Sequence, residues 1–489
     1  MVFSGFGFVF VFTPLLLAVY YLLPARQRAW RNAALLLFSL SFYAYGGLRY
    51  LPVMLASIAA NYLGGLLAEP GARRSTGFRK AALALTVAVN LAVLGYFKYA
   101  GFFTENLSRL GLPVPVLRVA LPIGISFFTF QGMSYAIDVY RADVPAQRNP
   151  FYVALYISLF PQLVAGPIVR YRDVSQALLH RRESFDTFVR GIERFIIGLS
   201  KKMLLANSLG AIADGAFSVP AARLESALCW LGALAYAGQI YFDFSGYSDM
   251  AVGLGRMFGF EFMENFNYPY IARTVTDFWR RWHISLSSWF RDYLYIPLGG
   301  SRAGKRAHVR NLLVVWALTG FWHGAQWSFL LWGLWFALLL LIERRARLFA
   351  APADTREAKG RRRARTLVSV ALHIYTMLAV TLGWVLFRAD GAAHAASYAA
   401  AMFGAAPGGF ASSSALYYLV EYRWELVCAV VAALPAAPAI GRALSAREGS
   451  PVAAFLLSWG RRGLLLLLFA LCVLRLVSSG YNPFIYFNF

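Results

Sequence analysis

Charge is what this 489-residue sequence has least of. Asp, Glu, Lys and Arg make up 14% of it, against about 25% in ordinary soluble domains. Hydrophobic residues reach 59% and aromatics 16%. So few charges cannot cover an aqueous surface, which excludes a soluble enzyme and a disordered hub. Acids are scarcer still: 23 Asp and Glu face 47 Lys and Arg, leaving +24. In a soluble chain that excess would point to nucleic acid. In a membrane chain it marks cytoplasmic loops under the positive-inside rule, with anionic headgroups or a phosphorylated cosubstrate nearby, and no nucleic acid is expected as partner. Cysteine is limited to Cys229, Cys428 and Cys472. Their odd number and wide spacing exclude a disulfide framework and a metal cluster. G-x-S-x-G, P-loop, H-E-x-x-H and C-x-x-C patterns are absent, so hydrolase, ATPase and zinc-protease chemistry have no support. The first residues lack both a basic n-region and a small-residue cleavage site, and are expected to form a spanning helix.

What remains is a succession of apolar runs. Spans need about 17–25 mainly apolar residues. Segments 5–23, 32–47, 51–67, 81–99, 119–139, 151–169, 191–209, 227–244, 311–341, 367–387, 425–440 and 455–477 qualify as candidates. The 311–341 run is long enough for two tight or broken passes. The expectation is an all-α polytopic membrane protein with about 11–13 hydrophobic helices, some re-entrant or tilted, forming one transmembrane domain over 1–489. Basic clusters at 26–31, 73–80, 302–310, 344–365 and 442–462 give a consistent orientation when counted from both ends, with the N- and C-termini periplasmic. The middle of the chain, with arginines at 170–182, resists strict alternation.

Residues 241–335 carry the chemistry. Eight of the thirteen tryptophans fall between Trp279 and Trp335, and ionisable groups within membrane segments are costly and tied to function. YFDFSGYSDM (241–250) places Asp243 and Asp249 around Ser245 and Gly246. Glycine and serine there suggest a broken helix, with the carboxylates binding an ion, relaying protons, capping a helix or pairing with an arginine. TDFWRRWHISLSSWFRDY (276–293), read as a helix, puts Phe278, Trp282 and Trp289 on one stripe and Trp279 one turn from His283. Asp277 and Arg281 pair at i,i+4. Aromatics mixed with Arg280 and Arg281 fit an amphipathic helix at an interface, holding phosphates or headgroups. In TGFWHGAQWS (319–328), His323 sits between Trp322 and Trp327, with Gly320 and Gly324 thinning that helix face for a substrate or a close neighbour. A lone histidine in a helix can be a satisfied core residue. Desolvation disfavours the imidazolium, however, and so keeps an intramembrane imidazole neutral and able to take a proton.

The string from YFDFSGYSDM through YLYIPLGG, then NLLVVWALTGFWHGAQWSFLLWGLW, with LPIGISFFTFQGMSYAIDVYR and LFPQLVAGPIVRYRD upstream, resembles the membrane-bound O-acyltransferase (MBOAT) family. Within it, the likeness is to the bacterial alginate O-acetyltransferase branch. The resemblance covers most of the chain and weakens over 389–414. It implies a ring of tilted helices around a thin central funnel, through which an acyl group from a cytoplasmic thioester reaches an outside acceptor. The family's essential histidine corresponds to His323 and its second histidine or asparagine to His283. His323 then acts as general base, while His283 orients the thioester or steadies the oxyanion. Arg280, Arg281, Trp279, Trp322 and Trp327 are candidate donor-binding residues; Asp243, Asp249, Gly320 and Gly324 are structural or funnel-lining. Acetyl-CoA is the expected donor, no cofactor is expected to be tightly bound and no metal is expected. Membrane lipids and a periplasmic acetyltransferase are the expected partners, at the bacterial inner membrane.

The tail 478–489 ends in GYNPFIYFNF, rich in aromatics and free of charge. Such a tail suits an outer aromatic belt. Aromatic C-termini in related extracytoplasmic acyl-transfer systems suggest instead a role in carrying the acyl group. From Val477 an extended chain reaches about 40 Å at about 3.3 Å per residue, enough for Tyr486, Phe484 and Phe487 to approach a site at mid-membrane. From a different class, a polysaccharide or lipid transporter fits the composition equally well, although no repeated halves are apparent. Within the enzyme reading, cellulose and peptidoglycan remain alternatives to alginate.

Overall fold

A computed structural model describes residues 2–71, 74–164, 166–302, 304–346, 359–447, 450–478 and 480–485. Among the described residues there is no strand, as expected where lipid offers no partner to a backbone left open. The chain divides into two compact units, Met1–Leu199 with Tyr247–Met263, and Ser200–Gly246 with Glu264–Phe489. The first holds α1 (Thr13–Leu22), α2 (Arg28–Gly47), α3 (Leu51–Ala68), α4 (Thr76–Arg109), α5 (Ile125–Tyr140), α6 (Pro150–Ser158), α7 (Phe160–Leu163), α8 (Tyr171–His180) and most of α9 (Phe185–Ser200). The second holds α10 (Asn207–Phe217), α12 (Val275–Arg281), α13 (Ile284–Phe290), α14 (Lys305–His323), α15 (Trp327–Arg345), α16 (Lys359–Arg388), α17 (Ala392–Met402), α18 (Ser413–Glu421), α19 (Arg423–Ala433), α20 (Ala436–Ser445), α21 (Pro451–Phe455) and α22 (Arg461–Ser478). Helix α11 (Ser226–Met257) contributes residues to both.

Every apolar run expected to span falls on helix, but the runs differ in kind. By length and composition, five stretches among the described residues can cross a membrane: Arg28–Ala68, Thr76–Arg109, Phe185–Phe217, Trp327–Arg345 and Thr366–Arg388. A sixth is the pair α19–α20, bent by 64° where Leu434 and Pro435 interrupt the backbone ladder. The 151–169 run is broken at Leu159 into α6 and α7, and the freed Phe160 amide donates to Ser39 Oγ of α2 at 3.2 Å. The 119–139 run becomes helical only at Ile125. It follows Gly124, whose φ of +72° suits glycine and where a Cβ would lie 2.6 Å from the Leu163 carbonyl oxygen. The 311–341 run is two helices, α14 and α15, parted at residues 324–326.

One expectation is overturned here. The segment 241–250 was expected to break its helix, yet α11 runs unbroken over 32 residues. Gly246 and the serines are compatible with helix once neighbouring side chains bury them, and propensity is overridden by packing.

Two clusters of buried polar side chains in the first unit find partners. Asn61 of α3 and Asn90 of α4 exchange two carboxamide hydrogen bonds, at 3.0 and 2.9 Å. Glu183 receives Arg28 and accepts from Tyr20 Oη at 2.5 Å. Arg181 donates to Tyr20 Oη at 2.9 Å, Asn32 Oδ1 at 2.7 Å and the Phe258 carbonyl at 2.8 Å.

Candidate active site

Helices α14 and α15 approach backbone to backbone. A Cβ at Gly320 would lie 2.2 Å from the Phe329 carbonyl oxygen, and one at Gly333 2.2 Å from that of Trp316. A Cβ at Gly324 would meet the Phe329 ring at 2.1 Å. Small residues allow this approach in membrane helix pairs, so the space beside Gly320 and Gly324 is filled by α15. His323 is the last residue of α14, where Gly324 turns the chain to extended backbone. Its ring is 5% exposed and meets Trp322, Trp332 and Phe387 edge to face, with centroids 5.0, 5.1 and 5.3 Å away.

The stretch expected to be one helix, 276–293, is instead broken, with one side buried and Arg280, Ser287 and Arg291 exposed. Helix α12 ends at Arg281, Trp282 is extended, and His283 adopts φ 44°, ψ 53° before α13 begins. A non-glycine residue in this left-handed region carries steric cost, and such strain persists only where surroundings over-determine it. Here they do. Asn265 Oδ1 accepts from Ser285 N at 3.1 Å and Ser285 Oγ at 2.9 Å, while the Ile284 amide donates to the Asn265 carbonyl at 3.0 Å. Amides at the start of α13 are thus satisfied from another segment, leaving the His283 imidazole free of any capping duty. That ring is 1% exposed. It lies 4.5 Å from the Phe244 ring and 6.2 Å from Trp322, and its Nδ1 faces Asn265 Oδ1 at 3.2 Å. Trp322 therefore stands against both histidines.

The start of α12 is anchored by Glu343, fully buried on α15. Its carboxylate accepts from Val275 N at 2.5 Å, Thr276 N at 2.9 Å and Thr276 Oγ1 at 2.8 Å. Charge-assisted bonds at a helix N-terminus are among the stronger ones. Glu343 was missed by sequence reasoning, although an acid inside LLLLIERR was a legible signal. Asn265 gave no signal of its own.

Trp279 packs on Trp316, Phe336 and Trp332 at 4.7, 4.9 and 5.6 Å. Trp332 stands between Trp279 and His323, and Trp384 of α16 meets Trp282 at 4.8 Å. Trp332, Trp384 and Phe387 belong to this aromatic chamber and were not foreseen. Trp327 is 57% exposed, outside the chamber wall, because α15 turns it outward at its first residue. Arg280 is exposed and Arg281 half-buried; the expected Asp277–Arg281 pair is present at 3.0 Å.

The two carboxylates of α11 take different partners. Asp249 pairs with Arg194 at 2.7 Å, within the first unit. Asp243, 1% exposed, pairs with Lys202 at 2.6 Å, within the second. Lys202 donates to the Pro483 carbonyl and stands 5.9 Å from the Phe484 ring centroid, and Asp243 Oδ2 accepts from Ile485 N at 2.9 Å. Upstream, Tyr481 Oη donates to Asp214 at 2.6 Å. The buried ion pair thus holds the C-terminal segment by its backbone. Tyr486 and Phe487 lie outside the described residues.

Two buried imidazoles of a polytopic membrane chain, one at the end of α14 and one at the break before α13, thus stand against the same indole. The chain belongs to the membrane-bound O-acyltransferase family, whose model matches residues 126–385, and it is an O-acyltransferase. It is 42% identical to the probable alginate O-acetylase AlgI of Azotobacter vinelandii and 40% to that of Pseudomonas aeruginosa, over the whole of both chains in each case. It is 35% identical to the peptidoglycan O-acetyltransferase of Helicobacter pylori, over 78% of this chain and 76% of that one.

Proposed function

We propose that this chain moves an acetyl group from cytoplasmic acetyl-CoA to an extracytoplasmic acceptor, for O-acetylation of an alginate-type exopolysaccharide at the bacterial inner membrane. The observation that carries the reading is the pairing of His283 and His323 against Trp322. The full-length likeness to alginate O-acetylases supports the choice of polymer, and the likeness to a peptidoglycan O-acetyltransferase supports peptidoglycan as the second reading.

In this proposal His323 takes the proton of an attacking hydroxyl. The hydroxyl oxygen bonds to the thioester carbonyl carbon, the C–S bond breaks, and the departing thiolate recovers the proton as free thiol. Basic residues on the cytoplasmic face, Arg280, Arg281 and those of 302–310, attract the donor's phosphates. Both termini are periplasmic. The tail docks against Lys202 and Asp243 so that Tyr486, one residue past the Asp243-bound Ile485 amide, serves as transient acceptor or as docking element for a periplasmic acetyltransferase. The test uses full-length protein in nanodiscs with radiolabelled acetyl-CoA, comparing wild type with His323→Ala. Label transfer or thiol release that depends on His323 is expected. Absence of both in wild type would remove the enzyme–donor reading, and full activity with an unlabelled tail in Tyr486→Phe would remove the relay.

A further inference from the structure

The orientation of the Asn265 carboxamide is fixed by chemistry. A backbone N–H, that of Ser285, points at one of its terminal atoms at 3.1 Å, and only an oxygen can accept it. The same oxygen faces His283 Nδ1 at 3.2 Å. Because Oδ1 has no proton to give, Nδ1 must be the donor. The neutral His283 ring then carries its proton on Nδ1 and its lone pair on Nε2. That Nε2 atom is buried with no hydrogen-bond partner among the described residues. A neutral ring in this tautomer cannot donate from Nε2 to an oxyanion; it can only accept.

We infer that Asn265 is a positioning residue that locks His283 in the Nδ1–H tautomer, making His283 Nε2 a proton acceptor in acyl transfer rather than an oxyanion donor. This rests on the proposed reaction and deepens it. The acceptor hydroxyl's proton, reaching His283 Nε2 directly or by way of His323, gives an imidazolium whose Nδ1–H stays on Asn265. As the C–O bond forms and the C–S bond breaks, that proton passes to the leaving thiolate, so the ring returns to its starting state. The same Asn265 oxygen accepts from Ser285 at the start of α13, so ring orientation and helix start are set by one side chain. Locking the tautomer of a functional histidine through its second nitrogen is a general device. The titratable group that acts on the charge of His283 is His323 of α14; its other neighbours, Phe244 of α11, Trp322 of α14 and Asn265, do not ionise.

Two measurements on full-length protein in lipid test the inference. The first needs no activity: ¹⁵N-histidine solid-state NMR, with the His283 signal identified by its loss in His283→Gln. A protonated Nδ1 and bare Nε2 are expected in wild type, and a mixed or reversed tautomer in Asn265→Leu. A protonated Nε2 in wild type, or an unchanged tautomer in Asn265→Leu, overturns the inference. The second follows thiol release from acetyl-CoA. Asn265→Leu is expected to lose about 100-fold or more, the scale of general-base catalysis. Asn265→Asp, which keeps the acceptor oxygen and adds charge, should retain turnover and move the acid limb of the pH–rate profile upward. Equal losses in both variants with matching pH profiles would reduce Asn265 to a helix-capping role and overturn the inference. If wild type releases no thiol, the donor reading fails while the NMR result still decides the tautomer.

Discussion

The arginine–glutamate cluster of the first unit and the histidine chamber of the second are both buried assemblies of ionisable side chains, but they treat their polar atoms in opposite ways. Around Glu183, Arg28, Arg181 and Tyr20, side chain meets side chain or carbonyl, down to Asn32 Nδ2 on the Leu178 carbonyl at 2.8 Å. Around His283 and His323, the Nε2 of His283 and the indole N–H groups of Trp279 and Trp332 are buried without partners among the described residues. Each such atom costs about 1–3 kcal/mol. The first cluster, satisfied on all sides, holds the fold; in the proposed reaction the second is where a substrate supplies the missing partner.

Crossed substitutions put that contrast at risk most directly. His323→Ala should cut transfer by about 10²–10⁴-fold and leave the thermal midpoint of folding near wild type. Glu183→Ala should do the reverse. Removing a carboxylate whose side chain is 9% exposed leaves Arg28 and Arg181 uncompensated, at a cost of about 3–5 kcal/mol, while turnover per folded molecule persists. Activity and thermal denaturation measured on both variants decide it; a stable but inactive Glu183→Ala would dissolve the distinction. The cluster also predicts acid sensitivity. Burial by itself would raise the Glu183 carboxyl, but hydrogen bonds from Arg28 and Tyr20 and the charges of Arg28 and Arg181 hold it at about 2, below its ordinary 4.5. Its contribution to stability is therefore complete above about pH 4.5 and is lost as pH falls towards 2. A melting-point series across that window should slope in wild type and flatten in Glu183→Gln.

The same contrast explains what could be read from sequence. Helix identity followed from apolar runs, and the parting of α14 from α15 followed from the length of 311–341. The local i,i+4 pair Asp277–Arg281 was equally legible. Failures came wherever a partner distant in sequence decided the outcome. The break at His283 depends on Asn265, eighteen residues earlier, and on Glu343 anchoring α12 from sixty-eight residues beyond Val275. The continuity of α11 runs against the local pattern because Ser245, Gly246 and Ser248, which suggest a break when read alone, are buried by packing from elsewhere in the chain, whereas the pairing of Asp249 with an arginine was among the roles the pattern offered. Trp327 illustrates the limit of proximity in sequence: four residues from His323, it faces outward because the chain turns between them.

The Lys202–Asp243 pair sharpens the comparison, since it is a satisfied cluster within the second unit. Lys202→Met alone strands a buried carboxylate and should cost more stability than Lys202→Met with Asp243→Asn. Both should free the C-terminal segment, because each removes the cation that holds the Pro483 carbonyl. A cysteine at Asn482, placed in a background lacking Cys229, Cys428 and Cys472, should react with a water-soluble maleimide at least severalfold faster in either variant. Unchanged labelling would mean that Tyr481 and Asp214 suffice to hold the segment.

The smallest effect is expected where satisfaction is reciprocal and confined to the first unit. Asn61→Leu leaves Asn90 with an unmet carboxamide inside a helix pair, and Asn90→Leu does the same to Asn61. Interhelical hydrogen bonds in membranes are worth about 0.6–2 kcal/mol, so each single change should cost about that much. The double change removes both polar groups together, so it should cost less than the sum of the two. The coupling energy from a double-mutant cycle, read from denaturation in detergent, measures the bond itself, and acyl transfer should be unaltered throughout. A loss of transfer in these variants without loss of stability would show that satisfied polar pairs in the first unit also serve the reaction.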